Sequence, residues 1–190
     1  IEMVERERVT VLCCVSTQFV MMLASPRLDD HDLSSLRVMF TGGEMVPFEQ
    51  ARAFEARTGA QVLQFFGSNE TGLFSGTRTT DPQELRLRTA GRTVPDMQVR
   101  LFDGDHDVTV TGRGQPAGRG PATCIGYLGD PEANAQLFTA DGWMLMGDVV
   151  TVDGDGYLRV VGRKSDFIIR GGKNISAGQV EEVASTHPAI

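Results

Sequence analysis

Between residues 9 and 67 short apolar runs alternate with stretches of helical pattern, and this alternation restricts the fold more than any other feature of the chain. An apolar run at 9–15 precedes a helix-like stretch at 16–24. A second run at 36–40 precedes a helix expected at 47–58, and a third strand is expected at 61–66. Strand, helix and strand joined in this way give a parallel α/β layer, because a helix must carry the chain back before the next strand can run in the same direction. The middle helix has its signals in place. Pro47 stands at its start, Gly59 follows its end, and Glu49, Arg52, Glu55 and Arg57 supply charges for its solvated side.

From about residue 77 to 138 the character changes. Gly, Pro, Arg and Asp punctuate short alternating runs such as Gln98-Val99-Arg100-Leu101-Phe102, which predicts a small antiparallel β barrel or sheet. Runs at 149–152 and 157–161 flank Asp153-Gly154-Asp155-Gly156, a pattern of turn residues between β runs that predicts a hairpin. Another strand is expected at 167–170. Ser176 can then cap a helix reaching about Thr186.

The 190 residues suffice for one domain, or for one domain and part of another. With 18 basic against 25 acidic residues and no basic block, the chain has no footprint for a nucleic-acid partner. No run approaches the roughly 20 apolar residues of a membrane span. Cys13, Cys14 and Cys124 lack metal-ligand spacing, and a reduced, cytoplasmic setting is expected. The chain opens at Ile1 and closes on His187-Pro188-Ala189-Ile190, and both ends read as internal to a longer protein.

Four clusters are candidates for chemistry. Thr41-Gly42-Gly43-Glu44 follows a strand and precedes a helix, where glycines let backbone N–H groups approach a ligand. A tight turn requiring positive φ explains the paired glycines as well. Phe65-Phe66-Gly67-Ser68-Asn69-Glu70-Thr71-Gly72 is placed just past a strand and joins an aromatic face, short polar donors and a carboxylate suited to a hard cation. A core aromatic pair before a polar loop is the plainer account. Asp148 can accept hydrogen bonds from two vicinal hydroxyls, or it is an ordinary turn aspartate. Arg163 stands beside a bend, followed by Gly171-Gly172-Lys173 in a loop. That loop is not a Walker loop, because Phe167 and Asn174 occupy the positions of a required glycine and Ser or Thr. His31, His106 and His187 have no partners at ligand spacing.

Taken in order, Thr41-Gly42-Gly43-Glu44, Phe66-Gly67-Ser68-Asn69-Glu70-Thr71-Gly72, Gly126-Tyr127, Gly142-Trp143 with Gly147-Asp148, Gly156-Tyr157, and Gly162-Arg163 through Glu181-Glu182 resemble the adenylate-forming superfamily of acyl-CoA and aryl-CoA synthetases, adenylation domains and beetle luciferases. The likeness runs from about residue 9 to 190. It implies a large nucleotide-binding domain with an α/β part at 1–76 and a β-rich subdomain at 77–162. A hinge and the start of a small α+β C-terminal domain would follow at 163–190.

Carried over by position, the resemblance sets Gly43 and Glu44 beside adenine and the acyl group, Phe66 against adenine, and Gly67 and Ser68 on the nucleotide. Asn69 and Glu70 would be catalytic, with Glu70 on Mg²⁺, and Asp148 and Arg163 would hold the ribose hydroxyls. Thr17, Gln18, Gly42 and Gly43 would line the acyl pocket. Ser165 would be the hinge, and Gly171 and Gly172 the loop along the thiol's path. The implied co-substrates are ATP, giving AMP, a small carboxylic acid and coenzyme A, in an AMP-forming acid–CoA ligase.

Four positions depart from the family pattern. Asn69 replaces a usual Thr, Ser165 a usual Asp or Lys, and Gln115-Pro116 a usual Glu-Leu; Pro116 should weaken its strand or place it at a sheet edge. The family's upstream phosphate loop and its C-terminal lysine lie outside these 190 residues, so the chain alone is expected not to catalyse adenylation. An adenylation domain serving a carrier protein and a non-catalytic nucleotide-binding relative are the alternatives.

Overall fold

The computed structural model describes residues 1–43, 46–164, 167–170, 173–184 and 187. It divides into two compact units, Ile1–Phe66 with Gly76–Gly91, and Gly67–Ser75 with Arg92–Ile190.

The first unit opens with a short helix α1 (Glu2–Arg6), too brief to leave a period in the sequence. Strand β1 (Val11–Cys13) is shorter than the apolar run that encodes it. After Cys14 N–H bonds Phe40 O, the Val15 N–H turns to the Gln18 side-chain oxygen (3.0 Å) and the helix begins. Helix α2 (Ser16–Ala24) keeps its expected bounds. Strand β2 (Val38–Gly42) starts two residues later than the sequence suggests, because Leu36 N–H closes a turn onto Leu33 O. Helix α3 (Phe48–Thr58) ends on Gly59 in the left-handed region, and strand β3 (Gln61–Ser68) follows.

The strands β1, β2 and β3 run parallel, with Val11 opposite Val38 and Val38 opposite Gln61. Met39 and Val62 of the sheet are fully buried in one core with Phe19 of α2 and Phe54 of α3, and Phe19 meets Phe54 edge-on with ring centroids 5.8 Å apart. Each such side chain contributes about 1.5–3 kcal/mol by leaving water. The chain then leaves the first unit for strand β4 (Gly72–Gly76), of which residues 72–75 belong to the second, and on its return helix α4 (Gln83–Arg88) closes the core of the first unit with Leu87. The adjacent Arg86 corrects one expectation. Glu55 is not solvated: its side chain is 9% exposed and ion-paired with Arg86, which is 5% exposed and also donates to Val62 O at 3.0 Å. The Glu55 carboxylate in turn accepts the Val62 N–H at 2.7 Å.

In the second unit a short β5 (Arg92–Thr93) lies beside β4. Strands β6 (Gln98–Asp103), β7 (His106–Asp107) and β8 (Arg113–Arg119) follow, then helix α5 (Pro131–Leu137). After it come β9 (Met144–Leu145), β10 (Asp148–Val152) and β11 (Leu158–Arg163). These form an open antiparallel sheet in the order β11-β10-β8-β6-β7, with β9 against β8, so of the expected barrel or sheet it is the sheet. Helix α5 was hidden from the sequence pattern because none of its residues is buried; its only sign is Asp130-Pro131, where the Asp130 carboxylate accepts the Ala133 N–H at 2.9 Å. Strands β12 (Phe167–Arg170) and β13 (Lys173–Ser176) make a separate hairpin before helix α6 (Ala177–Ala184).

Pro116 does not make β8 an edge strand. It lies in a strand with neighbours on both sides, opposite Leu101 of β6 and at the gap between β9 and β10. The β8–β9 register pairs Ala117 with Leu145, so Met146 falls opposite Pro116. Met146 N–H donates to Pro116 O at 2.9 Å, but proline has no N–H to return. The Gln115 side-chain amide supplies it, donating to Met146 O at 2.7 Å. The ladder is therefore interrupted without leaving that carbonyl bare.

Candidate functional site

In the first unit, β2 ends in the Thr41-Gly42-Gly43 turn. A Cβ on Gly42 would lie 2.5 Å from Phe65 O and 2.9 Å from its ring, so only glycine allows β2 and β3 to close here. Gly43 has φ +85°, as the tight-turn reading requires, and nothing lies within 4 Å of where a Cβ would be. Thr41 Oγ1 and Ser16 Oγ are buried without hydrogen-bond partners among the described residues. Thr17 and Gln18 are exposed, and the Gln18 side chain is engaged with Val15 N–H. Phe19 belongs to the core. Phe65 is 40% exposed and Phe66 half-buried on β3, which continues through Ser68 and does not stop before the motif as expected. Glu44 lies outside the described residues, as do Ser165, Gly171 and Gly172.

In the second unit, Gly67 and Ser68 end β3, and Asn69, Glu70 and Thr71 form the turn into β4. A Cβ on Gly67 would lie 1.9 Å from Gly72 O, so the two arms approach as closely as backbone allows. Thr71 Oγ1 accepts Ser68 N–H at 2.8 Å, and Ser68 Oγ accepts the N–H groups of Glu70 (3.2 Å) and Thr71 (3.1 Å). These hydroxyls hold the backbone of the turn, and the Ser68 hydroxyl also engages the Glu70 side chain. Glu70 O accepts Cys124 N–H at 2.7 Å, and its carboxylate accepts the Tyr127 hydroxyl at 2.7 Å. That hydroxyl first, and the Ser68 hydrogen bond second, hold the Glu70 pKa below its ordinary value. Asn69 is exposed at the turn.

The other candidate pair is formed by the sheet. Asp148 opens β10 and Arg163 closes β11, and the two are direct cross-strand partners. Facing residues of an antiparallel pair project to the same side with Cβ atoms about 5 Å apart. Two sequence-distant candidates therefore share one spot at the end of the ladder. Lys164 N–H extends that ladder to Gly147 O (2.9 Å), and Lys164 Nζ donates to the Gln115 side-chain oxygen at 3.2 Å. Tyr127, Asn134, Gln115 and Lys164 had no role in the sequence reading. Gly126-Tyr127 was visible as a motif, but its contact with Glu70 spans 57 residues and left no local trace.

Among the described residues no group of three or more His, Cys, Asp or Glu side chains can hold a metal ion. Glu70 offers a single hard carboxylate at an open turn. This donor set fits Mg²⁺ held mainly by substrate phosphates and water, and fits poorly a metal caged by protein. His31 is occupied with Glu5 at 2.7 Å, and all three cysteines are free. No helix among the described residues is long and apolar enough to cross a membrane.

Comparison with known proteins matches residues 1–128 to the family described as AMP-binding enzyme. The chain is 37% identical over 188 residues to indoleacetate–CoA ligase of Aromatoleum aromaticum, covering 98% of this chain and 36% of that protein. It is 40% identical over 190 residues to 2,3-dihydroxybenzoate-AMP ligase of Bacillus subtilis, covering 99% of this chain and 35% of that one. Among solved structures, the anthranilate CoA ligase AuaEII in complex with anthranoyl-AMP superposes with a TM-score of 0.88 at 28% identity, over 98% of this chain and 36% of that chain. The chain thus spans about a third of the length of the relatives it matches.

Proposed function

This chain belongs to the AMP-binding enzyme family, and on that premise we propose that it is the adenine-, ribose- and Mg²⁺-binding part of an ATP-dependent, AMP-forming carboxylic acid–CoA ligase. In the first step a substrate carboxylate oxygen attacks the α-phosphorus of ATP, and pyrophosphate leaves with the electron pair of the cleaved P–O bond. In the second, the thiol of CoA attacks the acyl carbonyl and AMP departs. Gly43, Glu44 and Phe66 flank adenine, while Gly67 and Ser68 border the nucleotide. Asn69 donates from its amide to a phosphate or acyl oxygen. Asp148 accepts the ribose hydroxyls, beside the permanently charged Arg163. Mg²⁺ bound through Glu70 would offset the charge building on the phosphates.

Thr17, Gln18, Gly42 and Gly43 border the acyl group. The hinge at Ser165 and the thiol-path loop at Gly171 and Gly172 complete the reading, with 1–76 and 77–162 as parts of one large domain and 163–190 opening a small one. A cytoplasmic enzyme is the expected setting.

The cross-strand pairing of Asp148 with Arg163 carries this proposal. What supports the reading is that the predicted hairpin pairs directly, across its ladder, the two residues that the family pattern assigns jointly to the ribose. A second reading is an adenylation domain that passes its acyl group to a carrier protein; one relative's name, 2,3-dihydroxybenzoate-AMP ligase, mentions AMP and not CoA. The test is carboxylic-acid-dependent pyrophosphate release from Mg-ATP by the enzyme that carries this chain. Glu70→Ala should abolish it. Full activity in that variant would overturn the metal assignment.

A further inference from the structure

We propose that Tyr127 is a positioning residue for Glu70, its hydroxyl fixing one carboxylate oxygen so that the other is presented to a divalent cation. The inference rests on the reading of Glu70 as the metal-binding carboxylate.

Tyr127 is held by polar contacts. It is 41% exposed, and the flanking Ile125 and Leu128 side chains stand fully in solvent, so this segment is not anchored by apolar burial. Its backbone is gripped at both ends by one side chain. Asn134 accepts Tyr127 N–H at 2.7 Å and donates to Tyr127 O at 2.8 Å. Asn134 sits on α5, whose start is fixed by the Asp130 cap and Pro131. A second tie binds the same segment to the hairpin tip, from Cys124 N–H to Glu70 O. The phenol ring thus projects from a backbone clamped by a capped helix, and its hydroxyl ends 2.7 Å from the Glu70 carboxylate.

A phenylalanine would fill the same space. What the hydroxyl adds is the bond to Glu70. A glutamate at an exposed turn otherwise samples many rotamers, and hydrogen bonds from outside a metal's ligand shell orient the ligand and hold its charge. The carboxylate offers about four acceptor sites on its two oxygens; the Tyr127 hydroxyl, the Ser68 hydroxyl and the Glu70 backbone draw on it, which leaves room for one bond to a cation.

The experiment uses Mn²⁺ as a paramagnetic substitute for Mg²⁺, titrated against the enzyme with a non-hydrolysable ATP analogue and read as loss of the free-ion EPR signal. Tyr127→Phe should weaken Mn²⁺ binding by about tenfold, with binding of AMP in the absence of metal unchanged. In a Glu70→Gln background Tyr127→Phe should add nothing, because the two act through one contact. If Glu70→Gln weakens Mn²⁺ binding but Tyr127→Phe stays within twofold of the parent, the positioning role is wrong and the metal reading stands. If Glu70→Gln also has no effect, both are wrong. A parallel loss of metal-free AMP binding in Tyr127→Phe would make its role structural and overturn the proposal. Should Tyr127→Phe fail to fold, Asn134→Ala carries the same test, with a smaller weakening in the same direction expected and no change overturning it.

Discussion

The two units hold their candidate residues in different ways. In the first, the Thr41-Gly42-Gly43 turn sits at the end of a strand whose position follows from apolar burial: Phe19, Met39, Phe54 and Val62 fix the layer, and the turn goes where the layer puts it. In the second, β10 and β11 bring Asp148 and Arg163 together, but the Glu70 turn depends on single polar contacts reaching across the sequence. Tyr127 reaches Glu70 over 57 residues, Lys164 reaches Gln115 over 49, and Arg100 reaches Asp141 over 41. Burial positions an element in bulk, whereas a hydrogen bond positions one group. Damage to the first unit should therefore spread, and damage to the second should stay local.

The strongest break is Phe54→Ala, which empties a fully buried site against Phe19. It should cost about 3–5 kcal/mol in denaturant unfolding, and amides of β1, β2 and β3 should lose exchange protection together. If only α3 responded, the first unit would not be the collective structure described. Gly67→Ala is the intermediate case, since its Cβ would lie 1.9 Å from Gly72 O. A cost of about 1–3 kcal/mol is expected, with faster amide exchange confined to residues 67–75 and the β2 amides unaltered.

The smallest effect is electrostatic. The Tyr127 hydroxyl, and secondarily Ser68, lower the Glu70 pKa in the folded state. The ionised carboxylate's contribution to the hairpin is thus complete above the ordinary glutamate value of about 4.3, and is lost as pH falls through the lowered folded value. Tyr127→Phe should move the Glu70 midpoint upward, toward the ordinary value, in a carboxyl-carbon NMR titration. An unmoved midpoint would show that the hydroxyl bond does not govern the charge.

The same contrast explains what the sequence revealed. Helix α2 was legible to the residue, and the parallel order of β1, β2 and β3 was legible from the strand–helix alternation, because periodic burial leaves a periodic record. Helix α5 buries no residue and left none. Glu55 looked like a surface charge, since nothing near it in sequence announces Arg86. The glycines and the Ser68–Thr71 turn were readable as a motif. The grip on Glu70 was not, because Tyr127 and Asn134 owe their importance to where α5 lies. Pro116 was half legible: proline does interrupt the ladder, but the sequence did not show that the interruption would fall beside an existing gap.

That interruption links the histories of two neighbouring positions. While residue 116 is proline, Met146 O depends on the amide of Gln115, so losing that amide exposes a carbonyl that the strand itself cannot serve. Once residue 116 regains an N–H, position 115 is released from serving Met146 O and keeps only its contact with Lys164. Lineages should therefore change 116 first and 115 second, an epistatic order set by one missing hydrogen.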